Sequence, residues 1–274
     1  MTPGAVTGRD LPIGVFDSGI GGLTVMHALM DRLPHESMVY FGDTARVPYG
    51  PKSPATVVRF SFENVELLTG RGIKAVVVAC NTATAHALPA LRGRFDLPIV
   101  GVVGPGARAA VAATRSGRVG VIGTYGTIGS GAYEKALRAI RPDLEIVSRA
   151  CPLFVPLAEE GMTDHPAARL IAAEYLAPFG DDGIDTLILG CTHYPLLKPV
   201  IGETVGPGVT LIDSAEETAR ETAALLAERR LARADGRPEY RYLVSDLPEQ
   251  FLKVGQRFLG GKIEGVEVAT AGSD

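Results

Sequence analysis

Residues 72–82 read GIKAVVVACNT, and residues 183–193 read GIDTLILGCTH. Each stretch opens on a Gly-Ile turn signal, continues through an apolar run, and reaches a cysteine eight positions after the glycine. An uninterrupted apolar run is typical of a parallel strand that is covered on both faces. The two stretches therefore predict two buried strands, each of which places a cysteine, Cys80 or Cys191, directly after its carboxyl end.

The similarity extends to the segments upstream of both cysteines. A strand-like run that ends at Ser18 lies 62 residues before Cys80, and a run that ends at Thr124 lies 67 residues before Cys191. The period exceeds 100 residues, far beyond that of a solenoid repeat. The pattern therefore predicts two related halves, which would place matching strand ends in matching positions.

Short apolar runs alternate with longer helical stretches along the chain, which predicts an α/β fold with mostly parallel sheets. We expect one domain over residues 1–104 completed by 214–274, and a second over 105–213. A single domain of nine strands is the alternative, although open sheets of that size are uncommon. Strands are predicted at 13–16, 38–41, 75–79, 99–103, 119–123, 145–148, 186–189, 210–212 and 242–244. Helices are predicted at 22–33, 54–71, 83–94, 106–115, 129–140, 167–179, 194–204, 215–232 and 248–259.

Composition narrows the class of protein. Of the 274 residues, 46% are hydrophobic and 21% charged, with a net charge of −4, which is typical of a globular protein. Without a basic run, nucleic acid is not an expected partner. No apolar run approaches the roughly 20 residues that cross a bilayer, so no membrane association is expected. The start MTPGAVTGRD lacks the apolar core of a signal peptide. Three cysteines without a CxxC pair predict neither a disulfide framework nor zinc, and favour the cytoplasm.

The positions of the two repeated cysteines favour chemistry over packing. Loops at the carboxyl ends of parallel strands are where open α/β sheets bind ligands. We expect the helix that follows each thiol to lower its pKa and favour the thiolate. Asn81-Thr82 and Thr192-His193 place hydrogen-bond donors at the same helix starts, where they suit a carboxylate. Cys151, in Ala-Cys-Pro, lacks this context and is predicted to be core.

Two thiols on opposite sides of one cleft suit the inversion of a stereocentre, because one base removes an α-proton and an acid on the other face returns one. Thiolates need assistance from polar groups, and the candidates are Asp17, Glu159 and His193. The turn DSGIGG at 17–22 lacks the spacing of a nucleotide-binding loop. It suits a tight turn that presents Asp17 and Ser18 to a small ligand.

Three further groups are weaker candidates. The loop 43–50 contains Tyr49 and Gly50, and Tyr49 is interpreted as either a lid or a surface aromatic. Thr124 and Thr127 lie at the strand end that matches Asp17, where they suit a carboxylate unless they only cap a helix. The remaining histidines have no metal-like spacing and are predicted to be surface or cap residues: His27, His35, His86 and His165.

Taken together and in order, six motifs resemble those of the glutamate racemases of bacterial cell-wall synthesis, within the aspartate/glutamate racemase superfamily. They are IGVFDSGIGGLTV at 13–25, YFGDTARVPYG at 40–50, ACNTATA at 79–85, ACPLFVPLAEEG at 150–161, LGCTHYPLL at 189–197 and DSAEETA at 213–219. The resemblance implies two pseudo-symmetric flavodoxin-like domains with the active site in the cleft between them. It also implies a cytoplasmic homodimer without cofactor or metal, which supplies D-glutamate for peptidoglycan and so serves cell-wall biogenesis and cell shape.

The resemblance also implies roles for single residues. Cys80 takes the α-proton of D-glutamate with the help of Asp17, and Cys191 takes that of L-glutamate with the help of His193 and Glu159. Since Ala158 departs from the larger aliphatic residue of many relatives, Glu160 is an alternative to Glu159. The implied substrate-binding residues are Asp17, Ser18, Tyr49, Gly50, Asn81, Thr82, Thr124, Thr127, Thr192 and His193.

Other functions remain open on sequence alone. The same fold and thiols serve a racemase for aspartate or a hydantoin. A ligand-binding or sensor protein on a duplicated scaffold needs no reactive thiol. A cysteine hydrolase needs one thiol and a histidine partner, and it gives no reason for a second cysteine.

Overall fold

The computed structural model describes residues 8–272, apart from the side chain of Asp181. The strands are β1 (Ile13–Asp17), β2 (Met38–Gly42), β3 (Ala75–Val78), β4 (Ile99–Gly101), β5 (Arg118–Gly123), β6 (Glu145–Ala150), β7 (Thr186–Gly190), β8 (Thr210–Asp213), β9 (Tyr240–Val244) and β10 (Glu267–Val268). The α-helices are α1 (Leu23–Arg32), α2 (Pro54–Thr69), α3 (Asn81–Arg94), α4 (Val103–Ala113), α5 (Tyr125–Gly129), α6 (Ala132–Ile140), α7 (Phe154–Glu159), α8 (Pro166–Asp181), α9 (Lys198–Val205), α10 (Ser214–Glu228) and α11 (Pro248–Leu259). Short 3-10 turns cover Thr44–Arg46 and Tyr194–Leu197.

The strands form two sheets in which every pairing is parallel. One sheet has the order β10-β9-β2-β1-β3-β4, and the other has the order β6-β5-β7-β8. The run β2-β1-β3-β4 thus recurs as β6-β5-β7-β8, which puts the cysteine-bearing strands β3 and β7 in equivalent positions. The predicted α/β fold with parallel sheets is confirmed. The exact domain limits stay a prediction, although β9 and β10 join the six-stranded sheet.

Burial explains why these segments are strands. Every residue of β1, β2, β3 and β7 is buried, as expected for strands covered by helices on both faces. The largest apolar cluster runs from one sheet to the other without interruption. Helix α10, which begins directly after β8, packs against α1 and α4. The two sheets are therefore joined by a shared core as well as by the chain.

The structure contains elements that the sequence patterns did not predict. Helix α7 was not expected, because it has six residues with Pro156 among them, too short for a helical period to show. The predicted helix 129–140 begins only at Ala132, as α6, because Gly131 before it has a φ of 64°, and the short helix α5 that precedes it was not predicted. The two-residue strand β10 carries no pattern at all. Within the described residues, no helix is both long and apolar enough to cross a membrane.

A buried ion pair fastens the chain far from the cysteines. The ammonium of Lys74 contacts the carboxylate of Glu36, and both side chains are at most 2% exposed. Lys74 Nζ also donates to the carbonyls of Arg9 (2.7 Å) and Leu231 (3.0 Å). Glu36 accepts from the backbone N–H of Arg233 at 2.8 Å. The pair therefore ties the start of β3 to the segment that leads from α10 to β9.

We predict that Lys74→Met lowers the free energy of unfolding by about 3–5 kcal/mol, because it leaves the Glu36 carboxylate buried without its positively charged partner. Denaturant titration of both proteins measures the difference. Arg94→Met is the matched control, since Arg94 pairs with Glu66 at the surface, where the side chains are 59% and 47% exposed; its cost should stay below about 1 kcal/mol. Equal costs for the two variants would contradict the role of burial.

Candidate active site

The carboxyl ends of four central strands meet in one place. Asp17 ends β1 and Cys80 follows β3 in the six-stranded sheet, while Thr124 follows β5 and Cys191 follows β7 in the four-stranded sheet. Both thiols are nearly enclosed, with 6% of Cys80 and 7% of Cys191 exposed. They lie close enough that a charge on Cys191 raises the pKa of Cys80. The two repeated cysteines therefore share one space.

Cys80 caps helix α3, and its environment keeps the proton on the thiol. Its sulfur accepts from the N–H of Ala83 at 3.4 Å and lies 3.7 Å from Ser18 Oγ. Burial and the negative charge of Asp17 nevertheless raise the pKa of Cys80 to about 12. The expectation that the helix start lowers this pKa is wrong for Cys80. The N–H contact is present, but desolvation of a charged sulfur outweighs it.

Cys191 lies beside an imidazole that is itself held by a carboxylate. His193 Nδ1 is 3.8 Å from Cys191 Sγ, and His193 Nε2 donates to Glu159 Oε1 at 2.9 Å. Burial opposes a charge on His193, but the contacts with Cys191 and Glu159 outweigh it and raise the pKa of His193 to about 10. The imidazole is therefore a cation near neutral pH. Of the two candidate glutamates, Glu159 makes this contact, and Glu160 is exposed.

The turn after β1 presses directly against the opposite sheet. A Cβ placed on Gly21 would lie 2.3 Å from Thr192 Oγ1 and 2.4 Å from His193 Nδ1, so only glycine fits there. Thr24 Oγ1, at the start of α1, lies 3.2 Å from the carbonyl of Thr192. Gly21 thus serves close packing between the halves, whereas a Cβ on Gly22 would meet Asp17 and Ala79 of its own half. The sequence had indicated only that this turn presents Asp17 and Ser18 to a small ligand.

Two buried polar atoms at this edge have no hydrogen-bond partner among the described residues: Asp17 Oδ1 and Asn81 Nδ2. The other oxygen of Asp17 accepts from the N–H of Gly19 at 2.9 Å, and Asn81 Oδ1 accepts from Tyr133 at 2.7 Å. Burial raises the pKa of Asp17, while the positive charge of His193 opposes the rise. Buried polar atoms are rarely left unpaired, so one free acceptor and one free donor mark a place for a polar ligand.

Three threonine hydroxyls meet across the seam, which is the line of contact between the carboxyl edges of the two sheets. Thr82 Oγ1 lies 2.9 Å from Thr124 Oγ1 and 3.1 Å from Thr127 Oγ1. Thr124 also caps α5, where it accepts from the N–H of Thr127. The hydroxyl of Thr124 therefore caps α5 and also belongs to the threonine cluster. On the outer side of the seam, His86 Nε2 donates to the carbonyl of Gly126 at 3.0 Å.

The loop 43–50 reaches the seam through Gly50, where a Cβ would lie 2.9 Å from the side chain of Thr124. Tyr49 is 1% exposed, so the surface alternative for this residue is wrong. Its hydroxyl donates to Asp43 and accepts from Asn64 Nδ2 at 3.0 Å. Arg46 holds Asp43 with its Nε at 2.9 and 2.7 Å from the two oxygens. The loop is therefore fixed by a buried polar network that sequence reasoning did not find.

The remaining candidates lie apart from the two thiols. Cys151 is buried, and burial raises its pKa to about 12, consistent with a core residue. His165 caps α8, His27 pairs with Asp31 at the surface, and exposed His35 contacts the carbonyl of Gly236. His86 is half-buried and, unlike the other three, contacts the opposite half through the carbonyl of Gly126. Across residues 8–272, no three histidine, cysteine or acidic side chains are grouped so that they could hold a metal ion.

Comparison with known proteins agrees with this geometry. A family model described as Asp/Glu/Hydantoin racemase matches residues 22–222. A glutamate racemase of Geobacter metallireducens is 59% identical over 252 residues, which are 92% of this chain and 93% of the relative. The crystal structure of a Bacillus anthracis glutamate racemase matches with a TM-score of 0.92 at 43% identity, over 96% of this chain and 98% of that one. A Francisella tularensis glutamate racemase, solved in complex with D-glutamate, matches with a TM-score of 0.90 at 40% identity and the same coverage.

The raised pKa of His193 predicts a pH dependence of stability. A histidine with a folded-state pKa of about 10 and an ordinary value of 6.5 contributes stability that is fully present below 6.5 and lost as pH rises through about 10. His193→Asn should therefore be less stable than the unaltered protein at about pH 6, with a difference that shrinks by about pH 10.5. Denaturant titration at both pH values measures it. A difference that grows with pH would contradict the assigned charge of His193.

Proposed function

This chain belongs to the Asp/Glu/Hydantoin racemase family and, within it, to the glutamate racemases, and we propose that it interconverts L-glutamate and D-glutamate by proton transfer between Cys80 and Cys191. The observation that carries the proposal is that the two thiols follow equivalent strands whose carboxyl ends meet, as the contacts of Gly21 with His193 and of Thr82 with Thr124 show. A binding protein would have no need for such a pair. The resemblance noted in the sequence to glutamate racemases is confirmed at the level of the family.

The two thiols have complementary surroundings, as a proton donor and a proton acceptor require. Cys80, with a pKa of about 12, carries its proton at neutral pH. Cys191 has the His193 imidazolium 3.8 Å from its sulfur, and a cation at that distance attracts a thiolate. The resting protein is thus suited to hold one thiol as acid and the other as base.

Proton transfer then runs in both directions through the same groups. With L-glutamate, the Cys191 thiolate removes the α-proton, and the Cys80 thiol returns its own proton to the opposite face of Cα. The product is D-glutamate, with Cys191 protonated and Cys80 left as thiolate, ready for the reverse reaction. Asp17 assists Cys80, beside which it is fully buried, and burial raises the pKa of its carboxyl group. His193 and Glu159 assist Cys191.

Substrate binding is assigned to the polar groups around the thiols. The unpaired Asn81 Nδ2 suits a carboxylate oxygen, and the hydroxyls of Thr82, Thr124 and Thr127 offer further donors. Ser18, Thr192 and the Tyr49-Gly50 segment border the same space. Because the thiols are only 6% and 7% exposed, the seam must open to admit the substrate and close around it before proton transfer.

The identity of the substrate rests on the relatives. Glutamate racemases at 59% and 43% identity span nearly the whole chain, and the Francisella tularensis relative was solved with D-glutamate. We therefore favour glutamate over aspartate or a hydantoin. In the same proposal, the enzyme works in the cytoplasm as a homodimer, without a cofactor, and supplies D-glutamate for peptidoglycan.

Solvent-deuterium exchange tests the two-thiol mechanism. We expect the unaltered protein to racemise both enantiomers in deuterium oxide and to place deuterium at Cα. Cys80→Ser and Cys191→Ser should each abolish racemisation. Residual exchange without inversion should be confined to L-glutamate in Cys80→Ser and to D-glutamate in Cys191→Ser, because one thiol remains on one face. Proton NMR and circular dichroism follow the two processes.

Cys151→Ser is the matched control, since Cys151 is an equally buried cysteine outside the site, and it should keep its activity. Racemisation that persists in either variant of the paired cysteines would contradict the mechanism. Faster turnover of aspartate than of glutamate would contradict the assignment of glutamate as the substrate, but it would not contradict the two-thiol mechanism.

Tight packing at the seam gives a separate prediction. Gly21→Ala should reduce racemisation by about a hundredfold or more, because the added methyl group displaces Thr192 and His193 and misaligns the Cys191 side of the site. Gly202→Ala is the control, since its methyl group would lie 3.7 Å from Leu211 in ordinary contact. Steady-state kinetics and thermal melting of both variants provide the measurement. Full activity of Gly21→Ala would show that the turn tolerates separation from His193.

A further inference from the structure

Helix α11 reaches the Cys191 side of the site from the opposite sheet. It lies in the chain between β9 and β10, both in the six-stranded sheet, whereas His193 follows β7 of the four-stranded sheet. The helix is firmly anchored, because Phe251, Val254 and Phe258 are buried and a Cβ on Gly255 would lie 2.8 Å from Leu23 in α1. Any contact that α11 makes with His193 therefore crosses the seam.

Phe258 makes such a contact with the imidazole. The rings of Phe258 and His193 meet at 76° with centroids 5.1 Å apart, which is the favourable edge-to-face arrangement. Phe258 is 4% exposed and His193 is 4% exposed. Glu159 and Cys191 contact the two nitrogens of His193. Phe258 packs against another side of the imidazole ring, where it restricts rotation of the ring and excludes water.

Arg257, the neighbour of Phe258 on α11, contacts Glu159, which is the carboxylate partner of His193. Arg257 Nη1 donates to the backbone carbonyl of Glu159 at 3.2 Å. The turn beyond Glu159 is shaped to admit this guanidinium, since a Cβ on Gly161 would lie 2.3 Å from Arg257 Nη1. Arg257 is exposed, so its hydrogen bond is the weaker of the two contacts, and Phe258 carries most of the constraint.

We propose that Phe258, supported by Arg257, is a positioning residue that sets the orientation of the His193–Glu159 pair and so controls chiefly the proton transfer at Cys191. The proposal rests on the two-thiol function above and extends it. The immediate contacts of the Cys80 sulfur come from Ser18 and Ala83 instead. A change at Phe258 should thus slow one of the two proton transfers and leave the other intact.

Kinetic isotope effects distinguish this role from a general loss of packing. In Phe258→Leu, we expect kcat to fall by up to about a hundredfold while KM stays within about a factor of three. Because removal of the proton by Cys191 becomes the slowest step, the isotope effect with α-deuterated L-glutamate should rise. With α-deuterated D-glutamate it should fall toward unity, since the step at Cys80 then reaches equilibrium before protonation by Cys191.

Matched variants separate positioning from folding. Phe179→Leu removes the same atoms from a side chain that is 2% exposed in α8 and should leave both isotope effects unchanged. Phe258→Tyr keeps the ring and should keep both isotope effects as well. Phe258→Met replaces the ring with a flexible side chain and serves as the test variant if Phe258→Leu does not fold.

The possible outcomes bear on different claims. Equal shifts of both isotope effects in Phe258→Leu, or no shift at all, would overturn the positioning role while racemisation by the unaltered protein upholds the function. Absence of glutamate racemisation in the unaltered protein would overturn the proposed function itself. Opposite shifts of the two isotope effects, absent from Phe179→Leu, would establish that α11 acts on one thiol only.

Discussion

The site depends on how closely the carboxyl edges of two parallel sheets approach each other. At Gly21 the gap leaves no room for a methyl group against Thr192 and His193, and at Gly50 the same holds against Thr124. Parallel strands present their ends at one edge of a sheet, so two facing sheets bring Cys80 and Cys191 together. Side chains from both halves then form one enclosed space, and that enclosure determines their charges.

Burial, rather than the helix start, sets the charge of the Cys80 thiol. At Cys80 the N–H of Ala83 is in place, yet desolvation beside Asp17 raises the pKa to about 12. At His193 the opposite occurs, because two hydrogen-bonding partners overcome desolvation and hold a cation. A protonated thiol on one side therefore faces an imidazolium on the other, although the strand order on the two sides is the same.

Periodicity and the internal repeat were enough to predict the parallel α/β fold and the equivalence of Cys80 and Cys191, because long buried strands leave a clear apolar pattern. They could not predict α7, which is too short to show a helical period and yet carries Glu159. Nor could they predict that Tyr49 is buried, since its partner Asn64 lies in α2, beyond any local signal. The contacts of Phe258 were missed for the same reason, because α11 looks like any amphipathic helix until it is placed against His193.

The residue that lies two positions after each cysteine makes the duplicated fold chemically unequal. The strand order β2-β1-β3-β4 and its repeat would by themselves give each cysteine the same kind of neighbours. Two positions after each cysteine, however, the chain has Thr82 on one side and His193 on the other. Thr82 joins a hydroxyl cluster, whereas His193 needs a carboxylate and an aromatic wall to stay buried as a cation. Helix α11, flanked by strands that extend only the six-stranded sheet, provides that wall, so the segment that makes the two sheets unequal also contacts the histidine that makes the two thiols unequal.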